Sequence, residues 1–299
     1  MCVKGEKRFL LRISTLTPFK MLFARFSTLN GNSPRMPSIS FIGTGSGLPT
    51  PDRFFSSSLL FIDGLHLLID AGEPCVHSLR DRGTLVRDID AVLITHGHVD
   101  HIGGLPALLQ GAMLLGRVKP LVLCLPSEMI APMRAWIRAL YLTEEAFGFA
   151  VEWRPWVDGE QMIVPSTTSH ICITPHANGH LAASYRSLPG ADAAMACNSF
   201  SLEFFWGEFR ALFSGDLSSA AELKRLVAEP SSVLISELSH FNADQLADAL
   251  KCAELKALCL VHLSEEYALN REELRVKMEN LLPLVADVFV PEEGEVLDF

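Results

Sequence analysis

The stretch Thr95-His96-Gly97-His98-Val99-Asp100-His101 places three histidines and an aspartate almost side by side. In extended backbone, side chains two positions apart leave on the same side, so His96 and His98 can grip one ion. Asp100 and His101 stand at the turn into a following helix and face elsewhere, towards a second ion. Imidazole with carboxylate, and no thiolate among them, suits zinc, with manganese or iron as alternatives. A water bridging two such cations becomes hydroxide near neutral pH, and the ion pair stabilises attacking and leaving oxygens alike. The chemistry this pattern points to is metal-assisted hydrolysis.

Two ions need more donors, and the second half of the chain offers them at strand ends. Asp216 in Phe213-Ser214-Gly215-Asp216-Leu217 could bridge both ions, and His262 in Leu260-Val261-His262-Leu263-Ser264 could join them. Asp70, in Leu68-Ile69-Asp70-Ala71-Gly72, also ends a strand. As a turn residue or as a support for a metal-bound histidine it fits equally well.

Strands ending at these positions must do the placing. The apolar run Ala91-Val92-Leu93-Ile94 reads as a buried strand that delivers the cluster, and Leu105 to about Leu115 as the helix after it. Ser38–Ile42 reads as the first strand, followed by the glycine-rich Gly43-Thr44-Gly45-Ser46-Gly47, where backbone can approach a neighbour closely. Asp63-Gly64 reads as a type I′ hairpin turn between Ser58–Ile62 and His66–Asp70. Ser127 is expected to cap the helix from Glu128 to about Leu142. A strand is expected over His170–Thr174, a hairpin over Phe200–Trp206 and Phe209–Phe213, and a helix over Ser218 to about Val227. The last strand is placed at Asp287–Val290. Strands then helices occur up to about Val164 and again from about Ser169. This predicts one α/β domain, two mixed sheets facing each other with helices on both outer faces.

Composition narrows the function. The 299 residues are 49% hydrophobic, ample for a large core, and the formal net charge is -10. Polyanions bind by releasing counterions to clustered Lys and Arg, so an acidic chain is a poor default partner for nucleic acid. Seven cysteines without CxxC spacing, several inside apolar runs, read as reduced core thiols of a cytoplasmic protein. No apolar run has the ~20 residues that cross a bilayer. Residues 1–36 are basic and read as a poorly ordered extension, with residues 37–299 as the hydrolase domain.

Phe41-Ile42-Gly43-Thr44-Gly45-Ser46-Gly47, Leu68-Ile69-Asp70-Ala71-Gly72, the His96–His101 motif with Ile102-Gly103-Gly104, Phe213-Ser214-Gly215-Asp216 and Val261-His262-Leu263-Ser264 together resemble the metallo-β-lactamase fold superfamily, within it the tRNase Z-like phosphodiesterase branch. The resemblance implies a four-layer αββα sandwich, two zinc ions and hydrolysis. It also implies a further histidine ligand between the two clusters, which favours His180 over His176. One ion would then be held by His96, His98 and His180 and the other by Asp100, His101 and His262, with Asp216 bridging and Asp70 behind them.

The branch carries a His-Glu pair at the strand end Leu234-Ile235-Ser236-Glu237-Leu238-Ser239-His240 that helps protonate the leaving group. Here Ser236 precedes Glu237, so that form of the pair is absent. His240 is expected to take the role, with Glu237 orienting His240 or His262; Asp100, Glu237 and His240 form the expected catalytic set. The alternative is that Glu237 and Asn242 cap the next helix. The branch also grips tRNA with a basic arm. Only about 35 residues separate His180 from Asp216, and the stretch Ser187-Leu188-Pro189-Gly190-Ala191-Asp192-Ala193-Ala194 between them is small and uncharged apart from Asp192. The expected substrate is therefore a small or cyclic phosphodiester. A lactone, thioester or other ester on the same site, or tRNA 3′-end processing, are the alternatives. No membrane partner is expected, and a homodimer is compatible with the sequence.

Overall fold

The structure, a computed structural model, describes residues 36–299. The expectation for residues 1–36 therefore falls, but for Met36, outside the described residues.

Chain order runs β1 (Ser38–Gly43), β2 (Ser57–Ile62), β3 (Leu65–Ile69), α1 (Cys75–Asp81), β4 (Ala91–Leu93), α2 (Val99–Ile102), α3 (Leu105–Leu114), β5 (Leu121–Leu125), α4 (Ser127–Ala139) and β6 (Val151–Pro155). The second half runs β7 (Met162–Pro165), β8 (His170–Asn178), α5 (His180–Arg186), β9 (Ser199–Trp206), β10 (Phe209–Phe213), α6 (Leu223–Leu226), β11 (Ser231–Leu238), α7 (Ala243–Leu250), β12 (Leu255–Leu263), α8 (Glu265–Leu269), α9 (Arg271–Leu281), β13 (Asp287–Phe289) and β14 (Val296–Asp298).

Among the described residues the strands form two seven-stranded mixed sheets, ordered β14-β1-β2-β3-β4-β5-β6 and β13-β12-β11-β10-β9-β8-β7. Alternation along the strands explains the layering. Ile39, Phe41, Leu60, Ile62, Phe204, Phe213 and Ile235 meet between the sheets. The opposite face of the first sheet packs on Leu79 of α1, Leu108 of α3 and Ile137 of α4. That of the second packs on Leu226 of α6, Leu246 of α7 and Met278 of α9. Each large apolar side chain so buried contributes roughly 1.5–3 kcal/mol. The expected αββα sandwich is what the chain forms.

Asp63 and Gly64 both adopt positive φ (46° and 85°), the type I′ geometry expected of that pair. A Cβ on Gly43 would lie 1.8 Å from the Phe55 carbonyl oxygen, so the glycine run begins with a close backbone approach rather than a ligand loop. Of the cysteines expected in the core, Cys75, Cys124 and Cys259 are buried, Cys172 and Cys197 are half-buried and Cys252 is exposed, while Cys2 lies outside the described residues.

Several boundaries differ from the sequence reading. Pro126, not Ser127, occupies the cap of α4, and no side-chain cap bond is made there. β7 pairs with β8 in the second sheet, so the halves divide before it. β8 continues to Asn178 because its pairing with β9 persists through Asn178 opposite Ser199. The expected helix after Ser218 splits into a 3₁₀ turn, Ala220–Glu222, and the single-turn α6. β14, too short for any periodicity to show, returns to pair with β1 and closes the first sheet.

Candidate metal centre

β3, β4 and β5 are parallel, as are β10, β11, β12 and β13. Open α/β sheets collect ligand-binding groups beyond the C-terminal ends of such strands. Asp70 follows β3, the His96–His101 cluster follows β4, Asp216 follows β10, and Glu237 and His262 lie near the ends of β11 and β12. The two sheets are joined at this rim by the bond from the Phe200 amide to the Thr95 carbonyl (3.1 Å).

His262 reaches the rim through an irregularity. Glu237 pairs with Val261 but Leu238 pairs with Leu263, leaving His262 as the extra residue of a bulge. Its φ is +47°, and Asp70 has φ +58°. Both are left-handed conformations that cost non-glycine residues energy, and both aim a side chain at the same place. The bulge also flips the phase of β12: Val261 packs between the sheets, while Leu263 packs on the helices.

The sequence-predicted donors converge there. His98 Nδ1 lies 3.1 Å from Nε2 of His96 and 3.1 Å from Nε2 of His180. Asp216 Oδ2 lies 3.9 Å from Nε2 of His96, 3.7 Å from that of His180 and 3.4 Å from that of His262. Its other oxygen lies 3.4 Å from Nε2 of His101. Asp100 Oδ2 lies 3.3 Å from His262 Nε2 and 3.6 Å from His101 Nε2. His96, His98, His180 and Asp216 thus form one set of convergent atoms and Asp100, His101 and His262 another, each within 4.8 Å.

The chemistry of this set fits divalent cations. Donors on a tetrahedral zinc with bonds of about 2.0 Å stand about 3.3 Å apart, close to the spacing of the three ring nitrogens around His98. His101 Nε2 is buried with no hydrogen-bond partner and points between two carboxylates. Buried carboxylates demand a compensating positive charge. Burial drives the pKa of His96 well below the usual imidazole value and that of His180 down to about 4, so both rings are neutral, as metal ligation requires. Burial also opposes charge on His101, but Asp216 and Asp70 outweigh it and hold its pKa well above the ordinary value. Burial would raise the Asp216 carboxyl; His262 and His101 instead hold it well below the usual carboxylate range.

Neighbouring residues orient the rings. Asp70 Oδ2 accepts from Nδ1 of His101 at 2.7 Å, and Asp70 Oδ1 accepts from the Thr95 amide at 2.7 Å. Thr95 Oγ1 lies 3.0 Å from Nδ1 of His96. Ser239 Oγ lies 2.8 Å from Nδ1 of His262 and 3.2 Å from Glu237 Oε2. The residue types of Thr95 and Ser239 carry no signal in sequence, since hydroxyls at strand ends are commonplace.

Glu237 and His240 are also brought here. His240 Nδ1 lies 2.8 Å from Glu237 Oε2 and 4.0 Å from Asp216 Oδ2, with its side chain 35% exposed. Burial disfavours charge on His240, but the hydrogen bond and charge of Glu237 prevail and raise its pKa. Asn242 caps α7 in a capping box with Gln245, and Glu237 takes no part in that cap. The remaining histidines stand apart. His176 bonds Glu203 on the second sheet (2.8 Å), His77 is exposed on α1 beside Asp81, and His66 lies 4.0 Å from Asp90.

Comparison with known proteins agrees with this picture. The protein named Ribonuclease Z from Clostridium novyi (strain NT) is 42% identical over 94 residues, which cover 31% of this chain and 30% of that relative. The chain thus matches less than a third of that relative's length. The metallo-β-lactamase fold protein YhfI from Bacillus subtilis superposes with TM-score 0.69 at 18% identity, over 88% of this chain and 100% of that one. The short form of human tRNase Z superposes with TM-score 0.66 at 18% identity, over 87% and 98%. These matches bear out the metallo-β-lactamase fold and the tRNase Z-like resemblance. Residues 37–265 match the family described as Anti-Pycsar protein Apyc1, and this chain belongs to that family.

Proposed function

We propose that this protein is a metal-dependent hydrolase, and specifically a phosphodiesterase acting on a small phosphodiester. The observation that carries the reading is the position of Asp216, whose Oδ2 stands between the His96 and His180 rings on one side and His262 on the other, while Oδ1 faces His101. In this reading His96, His98 and His180 would hold one cation and Asp100, His101 and His262 the other, with Asp216 available to both. Two zinc ions, or manganese or iron in their place, would supply a water of lowered pKa and neutralise charge on the phosphate.

The chain's own residues do the rest. Asp70 fixes the tautomer of His101 through Nδ1, and Ser239 does the same for His262. Glu237 holds His240 by Nδ1, which leaves Nε2 as the nitrogen that delivers a proton to the departing oxygen. Burial works against charge on His240, but the hydrogen bond and charge of Glu237 raise its pKa, the direction a general acid needs. The net charge of -10 and the absence of any basic residue from Ser187 to Ala194 favour a small substrate over RNA.

The second reading, RNA 3′-end processing, is favoured by the 94-residue likeness to a protein named Ribonuclease Z. Metal analysis followed by turnover assays on small linear and cyclic phosphodiesters, a lactone, a thioester and a tRNA precursor separates these. Two bound ions with turnover of small phosphodiesters is the expected result. Salt-sensitive cleavage of the precursor alone would move the assignment to RNA. Turnover of the carbonyl esters alone would move it to ester hydrolysis.

A further inference from the structure

Two of the convergent donors, His180 at the start of α5 and Asp216 in the loop after β10, come from separate segments, and one carboxylate outside the site ties those segments together. Glu222 closes the 3₁₀ turn before α6. Its Oε2 accepts the amide of Gly179, the residue before His180, at 2.9 Å. Its Oε1 accepts both the amide of Ser218, two residues after Asp216, at 2.9 Å, and the Ser218 hydroxyl. From the same segment Arg225 Nη2 donates to the Ala177 carbonyl at 2.9 Å, so the end of β8 is held on both sides of Asn178. The two segments touch: a Cβ on Gly179 would stand 3.0 Å from Ser218 Oγ and 3.6 Å from Glu222 Oε1. Across this junction His180 Nε2 and Asp216 Oδ2 lie 3.7 Å apart.

We propose that Glu222 is a positioning residue that sets the separation of His180 and Asp216, and with it the affinity of the His96–His98–His180–Asp216 set for its cation. The proposal rests on the metal-binding reading above. Its chemical logic is specific to a carboxylate. All three partners are donors, so the clamp needs a group that only accepts, with two oxygens. A glutamine would turn its NH₂ towards one donor, losing that bond and opposing the other group. Among the described residues Glu222 is the side chain that takes the Gly179 and Ser218 amides, while Asn178 Oδ1 takes the His180 amide (3.2 Å) and Glu237 that of Leu217 (2.7 Å), so Glu222 is the group that ties the two segments to each other. Partners that orient metal ligands from behind typically change metal affinity ten- to hundredfold when removed.

The test is a cobalt(II) titration of metal-free wild type and Glu222→Gln, followed by visible absorption, with melting temperatures of both proteins metal-free and cobalt-loaded. The expected result is two ions taken up by wild type, and in Glu222→Gln one ion bound as before and the other at least tenfold more weakly, with an altered absorption band. The metal-free melting temperatures should differ little. Identical titrations would overturn the proposal. So would a metal-free melting temperature that falls as far as the metal-loaded one, which would make the clamp a tie of the fold alone. Should Glu222→Gln not fold, Ser218→Ala removes one bond of the three and spares the backbone; a weakened second cobalt supports the proposal and an unchanged titration overturns it. If wild type takes up no cobalt, the metal-binding reading itself fails, an outcome visible before any variant is made.

Discussion

Nδ1 of His240 lies 2.8 Å from Oε2 of Glu237. The histidine of this pair stands three residues after Glu237, whereas the position directly before Glu237 is held by Ser236. Glu237 also accepts from the amides of Leu217 (2.7 Å), Ser239 (3.1 Å) and His240 (3.1 Å), so its carboxylate holds the loop that carries His240 and the residue after Asp216.

If His240 protonates the leaving group, its removal should matter most where that oxygen is a poor leaving group. His240→Ala should lower kcat roughly 10²- to 10⁴-fold on an alkyl phosphodiester. On a nitrophenyl diester, whose leaving group departs unprotonated, the loss should be far smaller, and bound metal should be unchanged. Steady-state assays on both substrates with metal analysis check this. An equal loss on both would assign His240 to binding instead.

Asp70 acts through His101, whose Nδ1 it accepts at 2.7 Å, and through the Thr95 amide. Asp70→Asn should weaken metal binding by a factor of about ten to a hundred. The fold should persist, since asparagine tolerates the left-handed backbone at this position. Competition with a chromophoric chelator gives the affinity, and circular dichroism the fold.

Asp63 gives a pH dependence with a definite sign. Burial would raise its carboxyl, but hydrogen bonds from Ser166 and from Thr168, at 2.6 Å from the Ser166 hydroxyl and 2.7 Å from the Thr168 amide, hold its pKa below the ordinary value. A group depressed in the folded state adds stability above its unfolded pKa of about 3.9, and that stability is lost as pH falls through the folded value. Asp63→Asn should therefore be less stable than wild type at pH 7, and the gap should close towards pH 3. Urea denaturation at the two pH values reads both differences.

Gly72 sits where backbone meets backbone. A Cβ there would stand 2.2 Å from the carbonyl oxygen of Asp100 and 2.6 Å from Phe55 Cβ. Neither can yield as the tip of a flexible side chain could. Gly72→Ala should cost about 1–3 kcal/mol of stability and displace α2, with loss of activity beyond the loss of stability. Thermal unfolding and turnover at a temperature where the variant is folded separate the two effects.

How far the site could be read beforehand depended on how local each signal was. The His96–His101 cluster was legible because its spacing alone puts donors on one side of an extended segment. His180 was harder: the expected strand end at Thr174 left His176 and His180 both available. Pairing with β9 carries β8 on to Asn178, puts His176 beside Glu203 on the sheet and leaves His180 to open α5 at the rim. The bulge at His262 was invisible, since a register shift is a property of two strands and not of one. Thr95, Ser239 and Glu222 were invisible for a related reason: their work consists of hydrogen bonds to particular partners, and their residue types are ordinary at turns.

Sequence alone determined the donor chemistry, histidine and carboxylate without thiolate, the alternation of strands and helices that makes a layered sandwich, and the acidic net charge of -10. Those properties are written in residue type and short-range period. The tertiary structure decided which donors meet. His262 and Asp100 are 162 positions apart yet stand 3.3 Å from each other. That contact exists only because two parallel sets of strands, buried face to face, end at one shared rim. No local rule encodes it, because the free energy that enforces it comes from the whole core between the sheets.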